Sequence, residues 1–483
     1  MKILVIQLAR LGDIYMTWPV VRALRTQHPS AQIDILVRPR FAAACEGLEA
    51  VDHVELFPTQ DFLSPLMLKG DLESSMTVVD QFVEKLKNQS YDRIVNLTFS
   101  EVSSFVVSMV ANSKTSISGY SRHRDGFLHL ADDVSRYFWS QVGPGGFNRI
   151  HLLDLLAATA EVELAPEHFS EPNLDLKPAL AVPYFVAHIG GSEDHKRINC
   201  HFWSYLIKQV LSHENNYHVV LIGSEADRST AHKVMANFES RVHDRVGKTQ
   251  LSELFGYIKH SKGLIGGDSM AMHLLPFVNQ RGLCFSKGDV NPFETGPMTN
   301  SSWIYRANDE GEWNLNTVDH VVKAWINHES APAETGLMQC GETFPRVQIV
   351  KENKSFPWDL IQAIYMGAPF PVAEDMEFYR GCLRMFEANQ VCLQNLNKWQ
   401  KINPQFLTSL LDRVDEIHAK IASEVMSLYP LFRWYQAEKT RVQPGTYQEM
   451  VTDYKIIIEQ YQNLLRQYLL EEDVRKVKSN AHV

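Results

Sequence analysis

The residues with the strongest chemical content lie in two short segments, one near the start of the chain and one past its middle. Asp13 follows the apolar run of residues 3–6, which is typical of a buried parallel strand, and it stands where a helix is predicted to begin. In open α/β sheets, ligands bind at the carboxyl ends of strands. A carboxylate at such a place can take a proton from a reacting hydroxyl. We therefore expect Asp13 to be a catalytic base.

The second segment runs from Gly266 to His273. Asp268 or Ser269 is predicted to cap a short helix, which leaves backbone N–H groups that suit an anionic phosphate. His273 lies four residues after Ser269 and is expected on the same helical face. Amides, a hydroxyl and an imidazole would then meet a diphosphate together. On these residues alone, a simple helix cap with a core histidine is an equally good interpretation.

A glycine-rich loop, residues 190–197, contains Ser192, Lys196 and Arg197. Glycines permit close approach of the backbone, and Lys196 or Arg197 could neutralise phosphate charge. The loop is not a Walker A motif, because the Gly-Lys-Ser/Thr ending is absent. Taken alone, Lys196 is more commonly a solvated surface lysine.

Two series of alternating strands and helices must position these residues, so the predicted fold class is α/β with two doubly wound, Rossmann-like domains. Strands are expected at residues 3–6, 33–37, 53–57, 93–97, 184–188, 219–222 and 263–266. Residues 59–71 and 118–148 are predicted to be irregular loops, and the proline-rich stretch 166–183 a linker. Apolar residues recur at spacings of three and four beyond residue 329, which predicts an α-helical extension.

Composition excludes several classes of protein. A net charge of -10 argues against a general nucleic-acid binder. The six cysteines are scattered, without metal-ligand or redox spacing, and are expected to be reduced thiols of a cytoplasmic protein. No metal site, signal peptide, membrane span or Gly-x-Gly-x-x-Gly dinucleotide fingerprint is indicated.

The order of these motifs resembles glycosyltransferase family 9, whose best-known members are the ADP-heptose:lipopolysaccharide heptosyltransferases. The resemblance covers about residues 1–328. The segments that carry it are Leu11-Gly12-Asp13 with Pro19, His188 to Arg197, Gly247-Lys248-Thr249 with the helix of residues 251–259, Gly267-Asp268-Ser269 with His273-Leu274, and Asn291-Pro292 with Thr295-Gly296-Pro297.

The resemblance implies a GT-B architecture, with an acceptor-side domain at residues 1–170, a sugar-nucleotide domain at residues 183–328 and the helical extension at residues 329–483. It implies an inverting, metal-independent glycosyltransferase without a cofactor, whose substrates are a sugar nucleotide, such as ADP-heptose, and a lipopolysaccharide-type or other glycan acceptor. The catalytic residues would be Asp13 as general base and Lys196. The donor-binding residues would be Ser192, Glu225, Thr249, Asp268, Ser269, Met270 and His273.

The sequence departs from the family's pattern on the donor side. Met270 occupies the position beside the diphosphate where the family usually has glycine, and Ile198-Asn199 replaces its usual Trp-Pro. Because lipopolysaccharide acceptors are anionic, candidate acceptor contacts are Arg38, Arg40, Arg122 and Arg124. Surface arginines without a role are at least as common.

Other functions stay open at the level of the sequence. One alternative is a catalytically degenerate scaffold or binding protein that acts through its helical tail, with a protein partner or by self-association. Another is a sugar-nucleotide epimerase on the same two-domain fold. The expected location is cytoplasmic, with peripheral contact at the inner membrane as an option.

Overall fold

The protein was analysed as a computed structural model, which describes residues 1–191, 193–238, 240–351, 354–373, 375–471, 473–474 and 477. The chain forms two compact units. The first comprises Met1–Thr98, Val110–Ser116 and Arg149–Asn353, and the second comprises Phe99–Met109, Ile117–Asn148 and Lys354–Val483. The division into domains 1–170, 183–328 and 329–483 stays a prediction.

The strands are β1 (Lys2–Ile6), β2 (Gln32–Val37), β3 (His53–Leu56), β4 (Arg93–Asn96), β5 (Ser116–Arg122), β6 (Leu128–Leu130), β7 (Tyr184–His188), β8 (His218–Ile222), β9 (Val242–Asp244), β10 (Leu264–Gly267), β11 (Gly282–Ser286), β12 (Trp303–Arg306), β13 (Leu337–Cys340) and β14 (Val347–Ile349). The α-helices are α1 (Leu11–Gln27), α2 (Thr59–Lys69), α3 (Leu72–Gln89), α4 (Glu101–Val110), α5 (Asp133–Gln141), α6 (Leu152–Thr159), α7 (Cys200–His213), α8 (Arg228–Met235), α9 (Leu251–Lys259), α10 (Pro292–Thr295), α11 (Leu315–Ile326), α12 (Phe356–Met366), α13 (Met376–Asn397), α14 (Pro404–Glu424), α15 (Tyr429–Lys439) and α16 (Tyr447–Arg466). The 3-10 helices are Pro39–Cys45, Pro144–Gly146, Pro166–Phe169, Asp194–Lys196, Glu225–Asp227, Met270–Val278, Trp399–Lys401 and Met426–Leu428.

The first sheet of unit 1 is parallel and has the strand order β3, β2, β1, β4. Residues 3–6 of β1 are fully buried, as expected for a strand covered on both faces. From β1 the chain proceeds to β2 and β3 on one side, and later to β4 on the other. The carboxyl ends of β1 and β4 therefore flank a point where the winding direction reverses, and α1 begins there.

The second sheet of unit 1 has the order β14, β13, β12, β11, β10, β7, β8, β9. Its pairs are parallel from β12 to β9, whereas β13 pairs antiparallel with both β12 and β14. The winding reverses between β7 and β10, whose carboxyl ends lead into the loop of residues 189–199 and into Asp268. The prediction of two doubly wound α/β domains is confirmed.

Aromatic side chains join the two α/β domains of unit 1. Trp18, fully buried in α1, stacks on Phe255 of α9 with ring centroids 5.6 Å apart and an angle of 20° between the planes. Its ring lies 5.2 Å from that of Phe277, in the 3-10 helix Met270–Val278. Such pairs add about 0.5–1.5 kcal/mol each beyond area burial. These ring contacts hold α1 against α9 and against the 3-10 helix Met270–Val278.

Unit 2 contains the antiparallel pair β5–β6 and a bundle that includes α12 to α16. In its core, the rings of Tyr435 and Tyr461 stack with centroids 4.7 Å apart, and His418 of α14 lies 5.4 Å from each. Burial lowers the pKa of His418 to about 4, so this histidine is neutral at pH 7. The predicted helical C-terminal region is confirmed.

The structure corrects several expectations about local elements. Residues 59–71 are not a loop, because α2 occupies most of them despite Pro65 within the helix. Residues 118–148 are not irregular either, since they contain β6, α5 and most of β5. Residues 337–349 include β13 and β14, so the stretch beyond residue 329 is not helical throughout. These strands are too short to show a clear period in the sequence.

Candidate functional site

The loop between β1 and α1 is held by a buried network of amide and hydroxyl groups. Thr98 Oγ1 lies 3.2 Å from Gln7 Oε1 and accepts a 2.6 Å hydrogen bond from the Leu8 amide. Gln7 Nε2 donates to Thr17 Oγ1 of α1 at 3.1 Å. Arg38 Nε donates to the Leu8 carbonyl oxygen. The loop that presents Asp13 is therefore fixed on both sides.

Asp13 is the third residue of α1, and its side chain is partly exposed. Its Oδ2 accepts a 2.9 Å hydrogen bond from the Arg10 backbone N–H, which satisfies one of the amides left free at a helix start. This bond orients the carboxylate. Among the described residues only Oδ2 has a hydrogen-bond partner, so Oδ1 can accept a hydrogen bond from a ligand hydroxyl.

The start of α1 lies against the 3-10 helix that begins at Met270. A Cβ atom added to Gly12 would lie 3.0 Å from His273 Cδ2, 3.3 Å from His273 Nε2 and 3.7 Å from Met270 Cα. Such close approach is possible only because Gly12 has no side chain. The neighbour of Asp13 in the sequence is thus in contact with His273 of the second α/β domain.

The expected helix at Asp268 is present but differs from the prediction. It is a 3-10 helix rather than an α-helix, and Ser269 is its N-cap residue without a capping hydrogen bond from the side chain. Residues three apart are aligned in a 3-10 helix. His273 therefore shares a face with Met270, not with Ser269. This explains why Met270 and His273 both face Gly12.

Two polar side-chain atoms of residues 266–273 lack a hydrogen-bond partner among the described residues. Ser269 Oγ and His273 Nδ1 are buried, and neither forms a hydrogen bond with any described residue. Burial lowers the pKa of His273, although the negative charges of Asp268 and Asp13 oppose the shift. A neutral imidazole and a hydroxyl, both buried and unpaired, are typical of a site that a polar ligand completes.

Asp268 does not cap the helix but contacts both Thr295 and Lys196. It accepts a 2.7 Å hydrogen bond from Thr295 Oγ1, and its Oδ2 lies 3.5 Å from Lys196 Nζ. His151 supports this arrangement, because its Nε2 lies 3.0 Å from the carbonyl oxygen of Gly296 and its Nδ1 accepts the Leu153 amide. Burial lowers the pKa of His151 to about 3, so the ring is neutral and Nε2 carries the proton.

Glu193 was missed by sequence reasoning. Its Oε1 accepts a 2.7 Å hydrogen bond from Arg10 Nη2, and its Oε2 lies 3.6 Å from Lys196 Nζ. The hydrogen bond from Arg10 lowers the pKa of Glu193. A carboxylate thus neutralises the cations that would meet a diphosphate. The sequence indicated this ion pair only through the presence of a basic residue, Arg10, two positions before Gly12.

Other predicted donor residues lie at the same edge of the second sheet, after β8 and β9. Glu225 is ion-paired with Arg228 at 2.6 Å and remains largely exposed. Thr249 is partly exposed in the loop before α9. The space beside the Cα atom of Gly190 is filled by Asp227, since an added Cβ would lie 2.6 Å from Asp227 Oδ2. A ligand therefore cannot approach this glycine from that side. Ser192 lies outside the described residues.

Comparison with known proteins supplies the deciding observation. The model of the family described as "Glycosyltransferase family 9 (heptosyltransferase)" matches residues 79–321. The chain belongs to glycosyltransferase family 9. The predicted enzyme class is therefore confirmed: the protein is a glycosyltransferase of the heptosyltransferase type, with a sugar nucleotide as donor. The comparison with curated proteins gives no match.

Solved structures resemble this family 9 glycosyltransferase in fold. The E. coli heptosyltransferase WaaC with ADP has a TM-score of 0.52 and 16% sequence identity, over 67% of this chain and 100% of the other. The family 9 glycosyl transferase from Veillonella parvula has a TM-score of 0.50 and 14% identity, over 68% of this chain and 97% of the other. These likenesses support the GT-B arrangement of the two α/β domains.

The arginines predicted to contact an acceptor fall in different units of the family 9 glycosyltransferase. Arg38 and Arg40 follow β2 in unit 1, and the charges of Arg40 and Arg10 add to burial in lowering the pKa of Arg38. The three guanidiniums therefore lie close together. In unit 2, Arg122 Nε donates to Ser104 Oγ at 2.9 Å, and Arg124 is exposed. The acceptor-binding roles of these arginines stay a prediction.

No metal-binding group of three or more His, Cys, Asp or Glu side chains occurs among the described residues. All six cysteines are free, and five of them are buried. Within the described part of the chain, no helix is both long and apolar enough to cross a bilayer.

Proposed function

We propose that this glycosyltransferase moves a heptose-type sugar from an ADP-linked donor to a hydroxyl of a lipopolysaccharide-type glycan, with inversion and without a metal ion. The family assignment supports the class of donor and acceptor, and the geometry of unit 1 supports the roles of individual residues. By the same family argument, the reaction takes place in the cytoplasm, where the acceptor is held at the inner membrane.

The observation that carries this proposal is the contact of Gly12 with His273. It brings the carboxyl edge of the first sheet, with Asp13, to the carboxyl edge of the second, with Ser269 and His273. In open α/β sheets both edges are ligand sites. A sugar between them would have a carboxylate on one side and unpaired polar groups on the other.

Asp13 acts as the general base. Its carboxylate accepts the proton of the acceptor hydroxyl as the hydroxyl oxygen forms a bond to the anomeric carbon of the donor. The bond from that carbon to the diphosphate oxygen breaks, and its electron pair leaves with the nucleoside diphosphate. Attack on the face opposite the leaving group inverts the anomeric configuration.

The diphosphate gains negative charge in this step and is stabilised from the second domain. Lys196 supplies a cation, and Ser269 and His273 supply hydrogen-bond donors that described residues leave unpaired. Donors fixed in advance cost no reorganisation when the charge develops. Because Glu193 already pairs with Arg10 and approaches Lys196, donor binding must compete with this carboxylate.

The acceptor lies on the side of Arg38 and Arg40. These side chains and Arg10 form a basic group near Asp13. The hydrogen bond to Glu193 and the negative charge of Asp13 raise the pKa of Arg10, whereas burial lowers the pKa of Arg38 and the charge of Asp13 only opposes that shift. Phosphates or carboxylates of an anionic glycan would pair with such guanidiniums.

The proposal is tested by incubating the purified protein with ADP-heptose and a lipid-linked core oligosaccharide, and by assigning the product's anomeric configuration by NMR. We expect inversion, at a rate that EDTA does not change. Retention, or a rate that EDTA abolishes and a divalent cation restores, contradicts the proposed mechanism. Calorimetry with ADP, UDP and GDP comes first, because a failure to bind any of them favours the scaffold alternative.

A further inference from the structure

A cavity of about 450 Å³ lies within unit 2, and none of the residues assigned to donor or base lines it. Its wall is formed by α5, α12, α15 and α16 and combines aromatic rings, charged groups and amides. Its volume is within the range of small-molecule pockets.

Four charged side chains on one side of the cavity form a closed ring. Asp133 accepts hydrogen bonds from Arg136 and, at 2.8 Å, from Arg441. Glu438 completes the ring, with Oε1 3.4 Å from Arg136 Nε and Oε2 2.7 Å from Arg441 Nε. Arg136 and Glu438 are buried. The two positive and two negative charges balance, so the ring has no net charge.

The charge balance decides which ligand fits. An anion would be repelled by the carboxylates of Asp133 and Glu438. A cation would be repelled by the two guanidiniums of the ring. A neutral ligand with many hydroxyls avoids both, because each hydroxyl can donate and accept. Among the described residues, both bonds to Asp133 fall on Oδ1, which leaves Oδ2 as an acceptor. Within the same part of the chain, Arg441 uses Nε and Nη2, which leaves Nη1 as a donor.

The remaining wall suits a sugar ring. Trp434 is partly exposed on α15, and its ring lies 6.2 Å from that of the buried Tyr461, which supports it from within the bundle. An aromatic ring offers a flat apolar surface to the C–H groups of a pyranose. The exposed amide of Asn463 on α16 adds a donor beside it, and its Oδ1, which accepts a 3.1 Å hydrogen bond from Arg466 Nη1, keeps a second lone pair.

We propose that this cavity is a saccharide-binding site of unit 2, distinct from the transfer site and specific for neutral glycans. Trp434 stacks on a sugar ring, while Asp133, Arg441 and Asn463 hydrogen-bond its hydroxyls. The proposal goes beyond sugar transfer, because binding here requires neither the donor nor Asp13.

The test is calorimetry of the full-length protein with maltotriose, cellotriose, chitotriose and α-mannotriose, without any sugar nucleotide. We expect saturable binding of at least one of them. Trp434→Ala should weaken it about tenfold or more, since an aromatic anchor is lost. Asn463→Ala, a change at an exposed position, should weaken it about threefold or more. Phe406→Ala, which removes another exposed aromatic ring of the helical unit, should leave it unchanged.

The proposal is overturned if none of the four trisaccharides binds, or if the Trp434→Ala and Asn463→Ala proteins both keep wild-type affinity. Binding of inorganic phosphate that Arg441→Ala abolishes, in the absence of saccharide binding, would identify an anion site instead. The result is independent of the proposed transfer reaction, because a protein inactive in transfer can still bind a saccharide here.

Discussion

Gly12→Ala tests the contact between the two domains directly. The added methyl group would lie 3.0 Å from His273 Cδ2, closer than carbon atoms normally pack, and 3.7 Å from Met270 Cα. Either α1 or the imidazole must move by a few tenths of an ångström. The change itself favours the helix, since alanine is better than glycine there by about 0.5–1 kcal/mol. We expect the free energy of unfolding to change by less than about 1 kcal/mol.

The effect on catalysis should be larger than the effect on stability. Misplacement of a reacting group by 1 Å can cost about a hundredfold in rate, so a few tenths of an ångström correspond to roughly threefold to tenfold. The assay is steady-state kcat for transfer, together with urea unfolding of the same preparation. An unchanged kcat would refute the importance of this contact.

A double-mutant cycle shows whether the methyl group acts through the imidazole. His273→Ala removes the ring that the methyl would meet, so Gly12→Ala should have almost no further effect on kcat in that background. If Gly12→Ala lowers kcat by the same factor in both backgrounds, the methyl group does not act through the imidazole. Its effect would then arise elsewhere, for example from a shift of the α1 backbone.

Two further predictions concern charge. Glu193→Gln should tighten ADP binding, because it removes the carboxylate that competes with the diphosphate for Arg10 and Lys196. We expect the Kd for ADP, measured by calorimetry, to fall by up to about tenfold. Weaker binding would mean that Glu193 orders the loop rather than opposing the ligand. His418 has a pKa of about 4 when folded, against about 6.5 when unfolded, so only the unfolded state binds its proton between these values and stability falls as pH falls through this range. The loss is about 3.5 kcal/mol, from 2.5 units at about 1.4 kcal/mol each. Urea unfolding between pH 4 and 7 should show most of this loss in the wild type but not in His418→Phe, and equal pH slopes contradict the assignment.

Sequence patterns predicted the elements that are long or strongly periodic. The strand at β7 and the helix at α9 have the predicted bounds, since each is a buried run or a clear amphipathic repeat. The helix α2 was missed because Pro65 and its exposed leucines break the usual pattern. The 3-10 form of Met270–Val278 was also missed, since no local signal separates it from an α-helix.

The site was predictable where it follows from strand ends and not where it depends on tertiary contacts. Asp13 and Asp268 each follow a strand, so their place at a sheet edge could be inferred. Nothing local showed that Gly12 touches His273, or that Glu193 pairs with Arg10, because these contacts join segments far apart in the chain. The hydrogen bond between Arg122 and Ser104 was hidden for the same reason.

The central claim is that Asp13 is the base and not merely a residue that satisfies a helix start. Asp13→Asn separates the two roles, because the amide oxygen of asparagine can still accept the hydrogen bond from the Arg10 N–H but cannot take a proton from the acceptor. The decisive measurement is kcat of Asp13→Asn alongside its Kd for ADP. We predict a loss of at least about a hundredfold in kcat with a Kd within about threefold of the wild type, whereas transfer at the wild-type rate would show that another group is the base.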